Sequence, residues 1–185
     1  IIRTWTATDN CGNTSTCVQT ITVQDSTAPA ITCPADVTVN CENPSTPAST
    51  GFATATDNCD AAPVVSFADA TIPGTCAGNF VITRTWTATD ECGNTSTCIQ
   101  TITVQDITAP VIAALPAPST INCPATPAFT TATASDACGS AISLTFTDAT
   151  TNGVCAGAYS VTRTWTATDG CGNSSTNSQT INVQD

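Results

Sequence analysis

The chain has 185 residues, a formal net charge of −11 and only three basic residues, Arg3, Arg84 and Arg163. Because lysine and arginine neutralise the phosphates of nucleic acids, a chain this acidic and without a basic patch is not expected to bind DNA or RNA. It contains no apolar run of the roughly 18 residues that a membrane-spanning helix needs, so no membrane span is expected in these residues.

The predicted elements, taken in chain order, are short β-strands separated by turns rich in glycine, proline and asparagine. The clearest strand covers 79–90, NFVITRTWTATD, in which Trp86 and every second residue fall on one face. A turn centred on Gly93 and Asn94 connects it to a strand over 98–105. Shorter strands are predicted near 31–40, 50–57 and 63–69.

The motif RTWTATD occurs three times, and its copies start about 80 residues apart, which is the size of one small domain. The predicted parts are the closing hairpin of a truncated repeat at 1–25 and complete repeats at 26–106 and 107–185. Six or seven short strands in each complete repeat are typical of an immunoglobulin-like sandwich. We therefore predict an all-β fold of tandem immunoglobulin-like β-sandwich repeats, with Trp5, Trp86 and Trp165 in their cores.

The twelve cysteines occur without any histidine and without a CxxC motif. This pattern favours disulfides over zinc or redox chemistry. Because disulfides persist in oxidising compartments, the expected location is extracellular, at a cell surface.

Comparison of the two complete repeats indicates how the cysteines pair. The last repeat has Leu115 and Asn177 where the middle repeat has Cys33 and Cys98, and this joint loss predicts a disulfide between the two cysteines. Antiparallel strands alternate in direction, so the remaining cysteines of a repeat lie two at each end, and we predict that those at the same end bond. The further predicted bridges are Cys41–Cys76, Cys59–Cys92, Cys123–Cys155 and Cys138–Cys171, with the partners of Cys11 and Cys17 upstream of the sequence.

Arg84 shares the inward face of its strand with Trp86, where an isolated charge would be costly. Asp69, in the run VVSFADAT, alternates with an inward phenylalanine and so points the same way. We predict a partly buried ion pair between these two residues, and the last repeat has the equivalent pair Arg163 and Asp148. The alternative is an arginine that extends to the rim of the sandwich.

Acidic residues cluster in the predicted loops where one repeat would meet the next. Calcium takes six to eight oxygen ligands, so one hypothesis is a calcium site at each junction, and no other cofactor is expected. The competing interpretation is a set of turn aspartates that accept backbone hydrogen bonds. The residues of the calcium hypothesis are Asp25, Asp57, Asp60 and Asp90, with Asp106, Asp136 and Asp169 at the second junction.

The runs ITCP at 31–34 and TWTATDECGNTSTCIQTITV at 85–104 resemble the HYR-like module, an immunoglobulin-like or cadherin-like extracellular repeat. The cysteine-rich form resembles the tandem arrays of giant gliding adhesins of Bacteroidetes. In that family the cysteine of the CP dipeptide pairs with the cysteine before the last strand, which matches Cys33 and Cys98. The resemblance implies a secreted, surface-attached, fibre-forming protein. The run Asp25-Ser26-Thr27 also resembles the O-glycosylation site of this phylum, which makes Ser26 and Thr27 candidate sites.

No catalytic residue is assigned, because serine and threonine have no histidine or lysine here to activate them. The leading hypothesis is therefore a structural stalk or filament of a large adhesin that serves cell adhesion and gliding. Its partners would be the neighbouring repeats of the chain and other copies in a fibre. The alternative hypothesis is a module that binds surface glycans or proteins, with or without calcium.

Overall fold

The computed structural model describes residues 1–185 and contains fourteen β-strands and one helix of four residues, α1 (Pro47–Thr50). The predicted all-β class is confirmed. No helix is long and apolar enough to cross a membrane. The strands are β1 (Ile2–Thr8), β2 (Thr14–Thr20), β3 (Ala30–Thr32), β4 (Val37–Asn40), β5 (Thr54–Thr56), β6 (Val64–Pro73), β7 (Phe80–Thr89), β8 (Thr95–Gln105), β9 (Val111–Ile112), β10 (Ser119–Asn122), β11 (Ala134–Ser135), β12 (Ser143–Asn152), β13 (Tyr159–Thr168) and β14 (Ser174–Gln184).

The chain forms two compact units. The first unit consists of Ile1–Thr32, Ala53–Phe67 and Trp86–Cys98, and the second consists of Cys33–Phe52, Ala68–Thr85 and Ile99–Asp185. Both units contain parts of residues 26–106, so the predicted division at residues 25 and 106 stays a prediction.

The last repeat, residues 107–185, lies entirely in the second unit and has two sheets. The larger sheet has the order β10-β14-β13-β12, and the smaller pairs β9 with β11. Strand β13 alternates apolar and polar residues, and this places Trp165 and Ala167 in a core with Ile112 and Ala132. These four residues are the buried centre that the predicted sandwich requires.

The middle repeat, residues 26–106, repeats this arrangement. Its larger sheet has the order β4-β8-β7-β6, and β3 pairs with β5. Both larger sheets place a short parallel strand beside the last strand, because Val37 pairs with Ile102 in one and Ser119 with Ile181 in the other. The two sheets therefore have the same strand order, as expected for two copies of one module.

The N-terminal hairpin belongs to the first unit and pairs β1 with β2, with Trp5 opposite Cys17. Trp5 is 54% exposed, whereas Trp86 and Trp165 are 2% and 3% exposed. The expectation that all three tryptophans are buried is therefore wrong for Trp5. A single two-stranded sheet has no facing layer that could cover the indole ring.

Arg84 is a buried charge in the second unit, and it forms the predicted pair with Asp69. Its Nε and Nη2 atoms donate to the two carboxylate oxygens of Asp69 at 2.7 and 2.8 Å. Nη1 also donates to Thr50 Oγ1 and Nη2 to the carbonyl oxygen of Ser45, both at 2.9 Å. Because the arginine side chain is only 2% exposed, these bonds replace the water that its charge would otherwise need.

Arg163 forms the equivalent predicted pair in the last repeat, but nearer to solvent. Its Nε and Nη2 atoms donate to the oxygens of Asp148, each at 2.7 Å, and its side chain is 22% exposed. The guanidinium also lies 3.9 Å from the ring centre of Phe146 and 4.6 Å from that of Phe129. The hydrogen bonds from Arg163 lower the pKa of Asp148, and the same pair raises the pKa of Arg163.

Replacement of Arg84 by Ala should destabilise the protein by about 3 kcal/mol, because it removes four charge-assisted hydrogen bonds inside the fold. Urea denaturation of the oxidised protein, followed by circular dichroism, measures this change. Arg163→Ala is the matched control and should cost clearly less, because solvent already reaches that pair. Equal losses for the two variants would contradict the assignment of Arg84 as the buried member.

Candidate functional site

The junction between the middle and last repeats is the most distinctive site of the chain. Two disulfides cross it, Cys41–Cys138 and Cys76–Cys171, and all four cysteines belong to the second unit. The Cα atoms are 5.7 and 5.3 Å apart, which lies within the usual range for a disulfide. Each disulfide therefore bonds one repeat covalently to the next.

We name the two faces of this junction by the repeat to which they belong. The exit end of the middle repeat consists of residues 41–43 and 74–79, and the entry end of the last repeat consists of residues 136–142 and 169–173. Residue Asp106, which follows β8, lies between them in the chain.

The predicted pairings Cys41–Cys76 and Cys138–Cys171 are wrong. Strand direction correctly places each of these pairs at one end of a repeat, but it does not decide whether two cysteines bond with each other or across to the next repeat. In the structure the cysteines bond across to the next repeat, because the exit end and the entry end face each other across Asp106.

The other predicted bridges have different outcomes. Cys33 and Cys98, whose pairing the sequence predicts, are both disulfide-bonded. The predicted Cys59–Cys92 and Cys123–Cys155 bridges are not formed, and these four cysteines are free and exposed. The cysteines of the N-terminal hairpin, Cys11 and Cys17, are free as well.

Asp106 is the centre of the closed junction and is only 5% exposed. One carboxylate oxygen accepts from the Thr108 backbone at 3.1 Å, and the other accepts from Ser140 Oγ at 2.8 Å. Asn173 Nδ2 donates to the Asp106 carbonyl oxygen at 3.1 Å, and Asn79 Oδ1 accepts from the Asp106 backbone N–H. A buried carboxylate is costly without such donors, so this one residue requires both repeats to be in place.

In the sequence, Asp106 belongs to the calcium hypothesis and to its alternative of turn aspartates, and neither interpretation includes Ser140 or Asn79. No local signal identifies these two residues, because isolated serine and asparagine residues are common in loops. Their role appears only when the two ends meet.

Gly78 permits the close approach of the two ends. Its φ is +86°, and a Cβ atom at this position would lie 2.9 Å from Cys138 Cβ and 3.0 Å from Asp106 Cβ. Glycine is therefore required twice here, once for its backbone conformation and once for space.

Four of the seven residues of the calcium hypothesis lie in the first unit. Ligand atoms of Asp25, Asp57 and Cys59 lie within 4.8 Å of one another. One Asp57 oxygen accepts from the backbone N–H groups of Cys59 and Asp60 at 2.8 and 3.0 Å. The Asp60 carboxylate in turn accepts from the backbone N–H of Glu91 at 3.1 Å. These contacts match the turn interpretation of the acidic residues.

Asp90 and Asp169 occupy equivalent turns and have the same partners. Asn94 donates its backbone and side-chain N–H groups to Asp90 at 2.8 Å, as Asn173 does to Asp169 at 2.8 and 2.9 Å. Burial opposes ionisation of both carboxyl groups, but these hydrogen bonds outweigh it and lower both pKa values. The two turns are thus stable with charged aspartates.

The candidate glycosylation residues and the Cys59 thiol both lie at exposed positions. Ser26 and Thr27 are exposed, and the Thr27 backbone donates to Asp25 Oδ1 at 3.0 Å, so both hydroxyl-bearing residues lie in an accessible turn. The thiol of Cys59 lies beside acidic groups: desolvation, followed by the charges of Asp25 and Asp57, raises its pKa.

The last repeat is similar to one known domain family. The model of the HYR-like domain with 4 cysteines matches residues 111–183. Four cysteines lie in this range, and two of them form the junction disulfides. Among curated proteins, none matches the chain.

Three of the solved structures that match the chain are cadherin ectodomains. Drosophila N-cadherin EC1-4 is 11% identical over 86% of this chain and 50% of that one, with a TM-score of 0.39. Protocadherin gammaB7 EC3-6 is 13% identical over 100% and 58%, with a TM-score of 0.37. Human CDH23 EC21-23 is 12% identical over 86% and 70%, with a TM-score of 0.36. The chain thus spans about half the length of the first of these structures.

Replacement of Gly78 by Ala should prevent the two ends from closing, because the added methyl group would overlap Cys138 and Asp106. We expect more free thiol at Cys41, Cys76, Cys138 and Cys171 after refolding in a glutathione buffer, measured by alkylation and mass spectrometry. Gly157→Ala is the matched control, because Gly157 has a φ of +84° and a Cβ there would meet no atom closer than 3.8 Å. An unchanged thiol count in Gly78→Ala would contradict the close approach.

Removal of divalent cations should leave the melting temperature unchanged, because backbone and side-chain N–H groups already donate hydrogen bonds to the carboxylates of the acidic loops. Differential scanning calorimetry with EDTA and with millimolar calcium provides the test. A rise in melting temperature on addition of calcium, absent in Asp57→Asn, would instead support the calcium hypothesis.

Proposed function

We propose that this chain, whose last repeat matches the HYR-like family, is a segment of the stalk or fibre of a large bacterial cell-surface adhesin. Its role in this proposal is structural and not enzymatic: it holds an adhesive region away from the cell during adhesion or gliding. Its neighbours along the fibre are further repeats, and its location is extracellular. The observation that carries this proposal is the pair of disulfides that join one repeat to the next.

A stalk must transmit force without lengthening, and the junction has the bonds for this. The Cys41–Cys138 bridge spans 97 residues of chain, and the Cys76–Cys171 bridge spans 95. Tension applied to the ends of the chain passes through a disulfide and through residues 42–75 or 139–170, so residues 77–137, which lie inside both loops, need not bear it. Unfolding of the strands within 77–137 would then add no length between the chain ends.

The junction also resists bending. Asp106, Ser140 and Asn173 lose buried hydrogen bonds if one repeat rotates away from the next. A chain-entropy estimate of about 4 to 5 kcal/mol for closure of a loop of this size indicates that one bridge alone stabilises the unit strongly. The two disulfides and the hydrogen bonds of Asp106 thus hold the same junction between the middle and last repeats.

The exposed turn after Asp25 supports a second element of the proposal. Ser26 and Thr27 lie in the linker before the middle repeat, where an O-linked glycan would meet no packed side chain. In a surface fibre, such glycans would shield the linker from proteases.

Single-molecule force spectroscopy tests the load-bearing role. The chain, tethered through folded tags at both termini, is pulled in oxidising buffer and again with dithiothreitol. Reduction should release at least about 340 Å of additional contour length, because 97 residues at roughly 3.5 Å each become extensible.

The matched control is the variant in which Cys41, Cys76, Cys138 and Cys171 are all replaced by serine. Because Cys33 and Cys98 stay disulfide-bonded in this variant, dithiothreitol should still lengthen it, but by less than it lengthens the native chain. A native chain whose contour length is the same in both buffers would contradict the stalk proposal. In that case the alternative, a module that binds surface glycans or proteins, would become the better interpretation.

A further inference from the structure

The closed junction has two halves, and the chain contains one further copy of each half. The exit end of the last repeat carries Cys123 and Cys155, which are equivalent to Cys41 and Cys76 of the middle repeat. The entry end of the middle repeat carries Cys59 and Cys92, which are equivalent to Cys138 and Cys171 of the last repeat. These two cysteines and the two of the exit end are all free and exposed.

The two exit ends have the same backbone hydrogen bonds. The N–H of Cys41 donates to the Gln105 carbonyl oxygen at 2.9 Å, and the N–H of Cys123 donates to the Gln184 carbonyl oxygen at 2.9 Å. The loops that carry the second cysteine also match, because the N–H groups of Gly74 and Gly153 each donate across their loop at 2.8 Å. The exit end of the last repeat therefore has the shape of an exit end that is already joined.

The two entry ends match in the same way. The backbone N–H of Cys59 donates to Asp57 at 2.8 Å, as that of Cys138 donates to Asp136 at 3.0 Å. The linker contact is also repeated, because Asn94 Nδ2 donates to the carbonyl oxygen of Asp25 at 3.4 Å. In the closed junction, the equivalent bond joins Asn173 and Asp106 at 3.1 Å.

The exit end of the last repeat has free space at the position where an entry-end cysteine packs in the closed junction. Gly78 at the closed end is crowded by Cys138 of the next repeat. Its equivalent, Gly157, has the same backbone conformation, and a Cβ there would meet only Cys123 Sγ at 3.8 Å and Asp185 Cβ at 3.9 Å. The place that Cys138 occupies against Gly78 is thus open at Gly157.

We propose that each free cysteine pair is half of a double-disulfide junction and is completed by another repeat of the same type. Cys123 and Cys155 would bond the entry-end cysteines of a following repeat, equivalent to Cys59 and Cys92 respectively. Cys59 and Cys92 of this chain would bond the exit-end cysteines of a preceding repeat. The partner is therefore an HYR-like repeat that presents the opposite half, and the product is a fibre that is covalently closed at every junction.

The chemistry is a two-electron oxidation for each bridge. Two thiols lose two protons and two electrons and form one S–S bond, while a small-molecule disulfide such as oxidised glutathione accepts them and becomes two thiols. This inference goes beyond the stalk proposal, because it concerns which sulfur atoms bond and does not depend on the load that the fibre carries.

Two contacts of the closed junction would be absent from the new one. Asn79 and Ser140 are replaced by Ala158 and Ala61 at the equivalent positions. The new junction would therefore depend more on its disulfides than the closed junction does.

A longer chain tests the proposal directly. Residues 26–106 are appended after Asp185, so that the last repeat meets a following one through the same VQD linker. The appended copy carries Asn58→Gln and Thr95→Ser as mass labels at two exposed positions. After oxidation in a glutathione buffer and alkylation of the remaining thiols, the bridges are mapped by proteolysis and mass spectrometry.

The expected result is a bridge from Cys123 to the appended Cys59 and one from Cys155 to the appended Cys92, with the original Cys59 and Cys92 alkylated. The double substitution Cys123→Ser and Cys155→Ser should remove these two bridges and leave Cys41–Cys138 intact. A Cys123–Cys155 bridge, an appended Cys59–Cys92 bridge, or free thiols beside an intact Cys41–Cys138 would overturn the proposal.

The unaltered chain provides a second measurement that does not depend on the added repeat. Its four exposed thiols at 59, 92, 123 and 155 should each react with iodoacetamide under native conditions, while the junction disulfides stay closed. A bridge within either pair of this chain would overturn the proposal, since the cysteines would then not be available to another repeat.

Discussion

The buried carboxylate of Asp106 is the constraint on which the second unit depends. At 5% exposure it must be hydrogen-bonded, and its donors come from the linker and from the last repeat. Only one relative placement of the two ends provides all of them. That placement also brings Cys41 to Cys138 and Cys76 to Cys171, so the hydrogen bonds and the disulfides require the same arrangement of the two ends.

The cross-links compensate for small cores. The buried centre of the last repeat contains Ile112, Ala132, Trp165 and Ala167, and two of these are alanines. Domains of this size bury a limited fraction of their apolar surface, and secreted ones commonly add disulfides. In the middle repeat, hydrogen bonds from buried polar side chains also add to the stability of a small core. Gln100, which is fully buried, donates to the carbonyl oxygens of Ala35 and Thr50 at 3.0 and 2.7 Å.

Local patterns predicted the elements well because a strand that faces a core alternates with a period of two. The strand expected over 79–90 is Phe80–Thr89, and the same alternation placed Arg84 beside Asp69 correctly. The expectation near 50–57 was less accurate, because Pro47 begins a short helix before the strand Thr54–Thr56. A proline at the first turn of a helix is common, but four residues leave no periodicity to recognise.

The sequence by itself determined the all-β class, the strand alternation and the end of the repeat at which each junction cysteine lies. All of these follow from residue type and spacing along one chain. Tertiary structure alone decided that the cysteines bond across the junction and that Asp106 joins the repeats through Ser140 and Asn173. The physical reason is that a disulfide requires two Cα atoms to lie within about 7 Å of each other, and residues almost 100 positions apart satisfy this only after both repeats have folded and docked.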